Sequence, residues 1–82
     1  MMEQIPVRLK SVEDVNLFVK IVSKFDADFD LYCGAYCVDA KSILGIMTMD
    51  LRDLRNKMFI KGNCNTADKR VLENELKIHA LA

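Results

Sequence analysis

Three cysteines and one histidine are the side chains of this chain that could bind a metal ion or act as strong nucleophiles. Cys33 and Cys37 are separated by three residues, Cys64 lies much further along, and His79 is the single histidine. Structural zinc usually takes four ligands, commonly with cysteine pairs in C-x2-C spacing, so this set matches a zinc site poorly. We therefore predict no metal and no cofactor, and we interpret the cysteines as small apolar core residues. A small thiol or metal-binding protein is the alternative.

Three aspartates, Asp26, Asp28 and Asp30, lie close together in the sequence, as catalytic or cation-binding carboxylates do. Asp28 and Asp30 alternate with apolar residues, and this alternation is typical of the solvent-exposed side of a β-strand. The sequence also lacks a glycine-rich phosphate loop, a nucleophile elbow and an H-E-x-x-H motif. The aspartates therefore indicate a strand rather than a catalytic site.

A serine precedes an apolar segment at residues 40–47, which read AKSILGIM. Ser42 is placed to cap a helix, because a serine oxygen can accept the N–H of a residue in the first turn. A phosphate on such a serine would meet free backbone N–H groups and the positive end of the helix dipole. The position therefore tolerates phosphorylation, and Lys41 is expected to add positive charge beside it.

Residues 23–47, and above all residues 40–47, resemble HPr, the histidine phosphocarrier of the bacterial sugar phosphotransferase system. In that family a Lys-Ser-Ile-x-Gly-x-Met segment opens a short helix, and its serine is a regulatory phosphorylation site. The resemblance implies an α+β fold, the HPr-like open-faced sandwich. It also implies a role in bacterial carbon metabolism.

The resemblance places the family's phosphorylatable histidine at Ser11 and its phosphate-binding arginine at Glu13. Ser11 has no evident base to activate it, and a phosphoserine is too stable an ester to pass its phosphoryl group onward readily. A carboxylate at Glu13 repels a phosphate where a guanidinium would bind it. We therefore expect a degenerate site without enzymatic or phosphocarrier activity, in which Ser11 only caps a helix. The alternative is a phosphocarrier with an atypical acceptor, for which His79 is the only available histidine.

In the family, HPr kinase/phosphorylase modifies the serine that Ser42 matches, and the modified form joins a catabolite-control repressor. A paralogue within the family lacks the histidine and keeps this serine, so a purely regulatory member has a precedent. The family also docks onto partner proteins through an apolar patch that Ile43, Leu44 and Met47 match. By helical spacing Ile43, Ile46 and Met47 share one side, so Leu44 is the residue expected to remain exposed. The alternative for Ser42 is an unmodified helix cap.

Four segments of alternating or apolar residues are predicted as strands. Pro6 cannot donate a hydrogen bond to a neighbouring strand, so the first strand is expected at a sheet edge. Gly34-Ala35 predicts a tight hairpin turn between the second and third strands. The four segments are residues 4–9, 28–33, 36–39 and 58–60.

Three amphipathic segments predict helices whose N-caps are Ser11, Ser42 and Thr66. Their apolar stripes are Val15, Phe18, Val19, Val22 and Phe25 in the first, Ile43, Ile46, Met47, Leu51 and Leu54 in the second, and Val71, Leu72, Leu76 and Ile78 in the third. The second stripe continues past the family's short helix, so we expect a longer helix or an altered loop there. The order is β-α-β-β-α-β-α, a four-stranded antiparallel sheet with three helices on one face.

Length and charge limit the classes of protein that this sequence can encode. At 82 residues the chain is predicted to be one domain spanning residues 1–82. Its 12 basic and 12 acidic side chains cancel, which argues against binding to nucleic acid or to an anionic membrane. A net charge near zero permits a monomer or a weak homodimer. We recognise neither a signal peptide nor an apolar run of about 20 residues, so a cytoplasmic protein is expected.

The leading hypothesis is a non-catalytic HPr-like module that regulates or binds another protein in bacterial carbon metabolism. Phosphorylation of Ser42 is its candidate control. The expected partners are HPr kinase/phosphorylase or a catabolite-control regulator, because these recognise the matching serine and patch in the family.

Overall fold

The computed structural model describes residues 4–48 and 57–82, which fold in the predicted order β-α-β-β-α-β-α. The strands are β1 (Ile5–Val7), β2 (Phe29–Cys33), β3 (Tyr36–Asp39) and β4 (Met58–Gly62). The helices are α1 (Val12–Val22), α2 (Ile43–Met47) and α3 (Thr66–Ile78). The four strands form one open antiparallel sheet with three helices, so the predicted α+β class is confirmed.

The sheet has the strand order β1-β4-β2-β3, so β1 and β3 are its edges. The prediction that Pro6 lies in an edge strand is confirmed, and its missing N–H costs the sheet no interior hydrogen bond. Gly34-Ala35 forms the predicted turn between β2 and β3, where Gly34 has a φ of 58° that suits glycine. The two-residue turn fixes the register of the hairpin, in which Cys33 pairs with Tyr36.

The first strand is shorter than predicted because the chain leaves the sheet after Val7. The backbone N–H of Arg8 donates a hydrogen bond to the carbonyl of Leu81, at 2.7 Å, instead of continuing the ladder with β4. Leu9 remains fully buried although it lies outside the strand. Strand β1 therefore ends where the chain contacts the segment after α3, which is far away in sequence.

The core lies between the sheet and the helices and consists of one cluster of buried residues. Alternate residues of the strands and one side of α1 supply most of it, as the periodicity predicted. The largest fully buried side chains are Phe18, Phe29, Ile5, Leu9, Ile21, Leu31, Ile46, Ile60, Leu72, Leu76, Leu81 and Val15.

Helix α3 corrects the predicted start and the predicted apolar stripe. Its N-cap is Asn65 rather than Thr66, because the Asn65 side chain accepts the N–H of Asp68 at 2.8 Å. The prediction that Val71 and Ile78 share the buried face is wrong, since they are 52% and 77% exposed. The contact with the core is narrower than the sequence stripe. It is made by Leu72, Leu76 and, beyond the helix, Leu81.

Helix α2 ends at Met47, with Thr48 at its C-cap. The predicted continuation of its apolar stripe through Leu51 and Leu54 lies outside the described residues. Ile46 is fully buried, and Met47 is partly buried against the core. Ile43, which was predicted on the inner side with Ile46, is 40% exposed. The short helix is therefore anchored mainly by one side chain.

Candidate functional site

At the start of α1, the side chains of Ser11 and Asp14 accept hydrogen bonds from the backbone around the N-cap. Ser11 has an extended backbone, and its hydroxyl oxygen accepts the N–H of Asp14 at 3.2 Å. The Asp14 carboxylate in turn accepts the backbone N–H of Lys10 at 2.9 Å. Glu13 adds a second, exposed carboxylate to the first turn. Two negative charges therefore occupy the positive end of this helix, and they oppose the approach of a phosphate.

The start of α2 has the same cap but different neighbours. Ser42 also has an extended backbone, and its hydroxyl oxygen accepts the N–H of Gly45 at 3.1 Å. The first turn of this helix, Ile43 to Gly45, contains no acidic residue. The N–H groups at the start of a helix have no partner within the helix, so this end can receive an anion without a competing carboxylate in the turn.

Lys41 is held against the body of the protein rather than extended beside Ser42. Its ammonium donates a hydrogen bond to the carbonyl of Phe25 at 2.8 Å and lies 5.9 Å from the centre of the Phe29 ring. Its backbone N–H donates to the Asp39 carboxylate at 2.9 Å. Lys41 therefore fixes the chain that leads into α2. The positive charge expected next to Ser42 is directed towards Phe25 instead.

Gly45 allows the cap and strand β3 to approach α2 closely. A Cβ atom at this position would lie 3.2 Å from the Ser42 hydroxyl oxygen and 3.5 Å from Cβ of Val38. The first contact is tighter than an ordinary van der Waals contact. A glycine here therefore leaves the Ser42 hydroxyl in capping position.

Exposed apolar side chains surround the start of α2. Leu44 is 82% exposed, as predicted, and Ile43 adds the exposure described above. Ile43 also lines a shallow groove of about 540 Å³ next to α1, together with Asn16, Val19, Lys20, Ser23 and Lys24. The groove brings apolar and basic groups together next to Ile43, the residue that follows Ser42. The α1 wall of the groove was not predicted, although the polar side of the α1 helical wheel was a usable signal.

The cysteines do not all lie in the core, which corrects their interpretation as buried residues. Cys33 is buried, whereas Cys37 is exposed and pairs with Tyr32 across the hairpin. A hydrogen bond with Cys37 is the main cause that raises the pKa of the Tyr32 hydroxyl above its usual range. Burial is the main cause that raises the pKa of the Cys64 thiol. Cys33 and Cys37 occupy different pairs of the ladder, so they do not face each other.

The described residues also bear on metal binding and on membranes. Within residues 4–48 and 57–82, no three histidine, cysteine, aspartate or glutamate side chains are close enough together to hold a metal ion. His79 lies at the C-cap of α3 and is exposed, well separated in the chain from both serine caps. Among the helices described, none has the length and apolarity needed to cross a bilayer.

Half of the chain matches a known family in sequence. The PTS-HPr family, described as the PTS HPr component phosphorylation site, matches residues 14–54, which are 41 of the 82 residues. The matched range includes the whole of the α2 start and begins three residues after Ser11. No curated protein matches the chain in sequence.

Several solved structures are similar to this fold. HPr-C-His from Thermoanaerobacter tengcongensis has a TM-score of 0.72 and 22% identity, and the match covers 92% of this chain and 90% of that chain. The histidine-containing phosphocarrier protein of Mycoplasma has a TM-score of 0.72 and 17% identity, covering 96% and 97%. The phosphocarrier protein HPr from Bacillus anthracis has a TM-score of 0.63 and 25% identity, covering 88% and 90%.

Proposed function

The chain belongs to the HPr family of the phosphotransferase system, and from this premise we propose that it is a regulatory, protein-binding member that carries no phosphoryl group between enzymes. HPr-like phosphocarriers are not themselves enzymes, and we assign this chain neither a catalytic centre nor a cofactor. It acts in the cytoplasm, through contact with another protein. Phosphorylation of Ser42 controls that contact.

The difference in charge between the two helix starts is the observation that carries the proposal. A phosphate at the α1 start would lie beside the carboxylates of Glu13 and Asp14, which repel it. Two unit charges of like sign about 4 Å apart repel by about 4 kcal/mol at the effective dielectric constant of a protein surface. The α2 start holds no acidic side chain in its first turn, and the nearby Asp39 carboxylate lies before the cap, where it accepts the backbone N–H of Lys41.

Loss of phosphocarrier activity is expected if Ser11 stands where the family has its histidine. The Ser11 hydroxyl already accepts a hydrogen bond from Asp14, and a serine hydroxyl needs a base before it can attack phosphorus. The Asp14 carboxylate is engaged with the Lys10 backbone. The first turn of α1 therefore repels a phosphate at the place where the family has a phosphate-binding arginine.

The docking surface in this proposal is the apolar patch at the start of α2. Ile43 and Leu44 are exposed there, and Met47 lies half-buried beside them. Exposed apolar side chains next to a switchable charge suit a contact that phosphorylation strengthens or weakens. A phosphate adds a charge of about −1.5 to −2 at pH 7, which favours a partner that presents arginine. The partners proposed are HPr kinase/phosphorylase and a catabolite-control regulator.

Two serine variants test the regulatory proposal, because both serines cap a helix with the same hydrogen bond. The full-length chain is incubated with HPr kinase/phosphorylase and labelled ATP, and an ordinary HPr serves as the positive control. We expect one phosphate per chain in the wild type and in Ser11→Ala, and none in Ser42→Ala. An unlabelled wild-type chain, beside a labelled ordinary HPr, would show that Ser42 is only a helix cap.

A further inference from the structure

The side of the sheet turned away from the helices carries a continuous row of apolar and aromatic residues, which we call the outer sheet face. Pro6 pairs with Phe59, Phe59 with Tyr32, and Tyr32 with Cys37, so the row crosses all four strands. The rings of Tyr32 and Phe59 stack at the middle of the row, with centroids 5.1 Å apart and planes 10° apart. Such a row on an open sheet is suited to contact with another protein surface.

Charged residues divide the outer sheet face into two halves of opposite sign. Lys61 on β4 pairs with Asp30 on β2, and Asp30 pairs in turn with Asp39 on β3. Exposed Arg8 follows β1 between buried Val7 and Leu9, and exposed Lys57 precedes β4 two residues before Phe59. By alternation both residues extend the basic half. The β1–β4 half is therefore basic, and the β2–β3 half is acidic.

The basic group nearest the middle of the face is held in a defined place. The Lys61 ammonium lies 5.7 Å from the centre of the Tyr32 ring and 5.9 Å from the centre of the Phe59 ring. A cation over the faces of two aromatic rings is attracted by their negative faces. Lys61 therefore presents its charge above the centre of the outer sheet face, where a second surface would meet it.

We propose that the outer sheet face binds a second copy of this chain. A twofold axis parallel to the strands, between β4 and β2, reverses the strand order and brings each basic half onto the partner's acidic half. Lys61 then meets the partner's Asp30, and Phe59 meets the partner's Tyr32. Facing sheets pack about 10 Å apart with aligned strands, a distance that these side chains span.

The division of charge is what identifies a second copy as the occupant. A twofold interface uses the same patch on both chains, so a patch that is basic on one half and acidic on the other complements itself. Single-stranded nucleic acid also stacks on sheet aromatics, but its backbone would lie against Asp30 or Asp39. The dimer leaves both α2 starts on its outside, so the proposal does not depend on the role of Ser42.

Charge reversal distinguishes contacts between chains from contacts within one chain. Equilibrium sedimentation of the full chain should show a mass that rises from 9.4 kDa towards twice that value with concentration. Lys61→Asp and Asp30→Lys should each raise the Kd for dimerisation by at least about tenfold, because each places like charges against each other twice. An equimolar mixture of the two variants should recover the wild-type Kd within about threefold, since every new charge then meets its opposite. A pair within one chain cannot be restored by mixing.

Lys20→Asp is the matched control, because it makes the same change of charge on α1, and it should leave the Kd unchanged. Thermal unfolding of each variant verifies the fold. A wild-type chain that stays at 9.4 kDa at protein concentrations up to about 1 mM would overturn the proposal, because the Kd for dimerisation would then exceed about 1 mM. So would a mixture that remains monomeric. Binding of a labelled single-stranded oligonucleotide that Tyr32→Ala abolishes would assign the face to nucleic acid instead.

Discussion

Helices α1 and α2 begin in nearly the same way and differ in the side chains of the first turn after the cap. In both, a serine hydroxyl oxygen accepts the N–H of the third residue after it, at 3.2 Å for Ser11 and 3.1 Å for Ser42. The first turn of α1 then carries Glu13 and Asp14, whereas the first turn of α2 carries exposed Ile43 and Leu44. The capping bond alone therefore does not distinguish the two serines, and the difference lies in the neighbouring side chains.

The neighbouring charges account for this difference, and they act in opposite directions. Carboxylates in the first turn of α1 stabilise the helix through its dipole, but they repel any further anion. The start of α2 lacks that stabilisation. Its position is fixed by Lys41, which donates hydrogen bonds to Phe25 and Asp39. The first turn of α1 therefore carries its own negative charges, whereas the first turn of α2 carries none.

Rebuilding an acceptor at α1 is expected to have the largest effect. Ser11→His combined with Glu13→Arg supplies an imidazole nucleophile and replaces a repelling carboxylate with a phosphate-binding guanidinium. With Enzyme I and labelled phosphoenolpyruvate, we expect acid-labile labelling at least about tenfold above that of Ser11→His alone, equivalent to about 1.4 kcal/mol of transition-state stabilisation. Equal labelling of the two variants would show that Glu13 does not oppose the phosphate.

Moving an α1-like charge to α2 should produce the next largest effect. Leu44→Glu places a carboxylate two residues after Ser42, where Glu13 stands relative to Ser11. Labelling of Ser42 by HPr kinase/phosphorylase should become about tenfold slower, because repulsion of about 1–2 kcal/mol remains even after screening by solvent. The matched control, Leu44→Gln, removes the apolar side chain without adding charge. If both variants are slowed equally, apolar contact rather than charge governs the kinase.

Removing each cap should cost unequal amounts of stability. Ser11→Ala should lower the free energy of unfolding by about 1–2 kcal/mol, because Ser11 caps a helix of 11 residues that buries Phe18. Ser42→Ala should cost about 0.5–1 kcal/mol, since α2 has only five residues and exposes two of its apolar side chains. Urea unfolding followed by circular dichroism measures both. A greater loss for Ser42→Ala would contradict the expectation that the Ser11 cap contributes more to stability than the Ser42 cap.

The smallest effect on the two helix starts is expected from a change on the outer sheet face. Cys37→Ala removes the hydrogen bond that favours the protonated phenol of Tyr32, so the raised pKa of Tyr32 should fall towards its ordinary 10.0. Ultraviolet titration of the phenol measures this fall. Labelling of Ser42 should stay as in the wild type, because Cys37 lies across the sheet from the helices. A change in labelling would connect the outer sheet face to the α2 start.

Local patterns predicted the elements, because capping, alternation and helical periodicity are set by neighbouring residues. Ser42 as a cap, Leu44 as an exposed residue and Pro6 in an edge strand all follow from such patterns. The exposure of Cys37 was also within reach, since the two-residue turn fixes the register and places Cys37 opposite Tyr32. It was missed because cysteine was interpreted by residue type rather than by position.

The remaining errors have causes that neighbouring residues do not encode. Strand β1 ends early because Arg8 bonds to Leu81, 73 positions along the chain. Asn65 and Thr66 are both good capping residues, and only the folded geometry selects Asn65. Ile78 fits the periodicity of α3, but the core accommodates only a narrow stripe of that helix. Long-range packing therefore decided what local propensity left open.

We propose that this protein receives a phosphate on Ser42 and not at the α1 start. The most direct test exposes the wild-type chain to Enzyme I with phosphoenolpyruvate and, separately, to HPr kinase/phosphorylase with ATP, with an ordinary HPr in both reactions. Intact mass and peptide mapping should find no phosphate after the first reaction and one acid-stable phosphate on Ser42 after the second. An acid-labile phosphate after the first reaction, or a phosphate on Ser11 after either, would contradict the account.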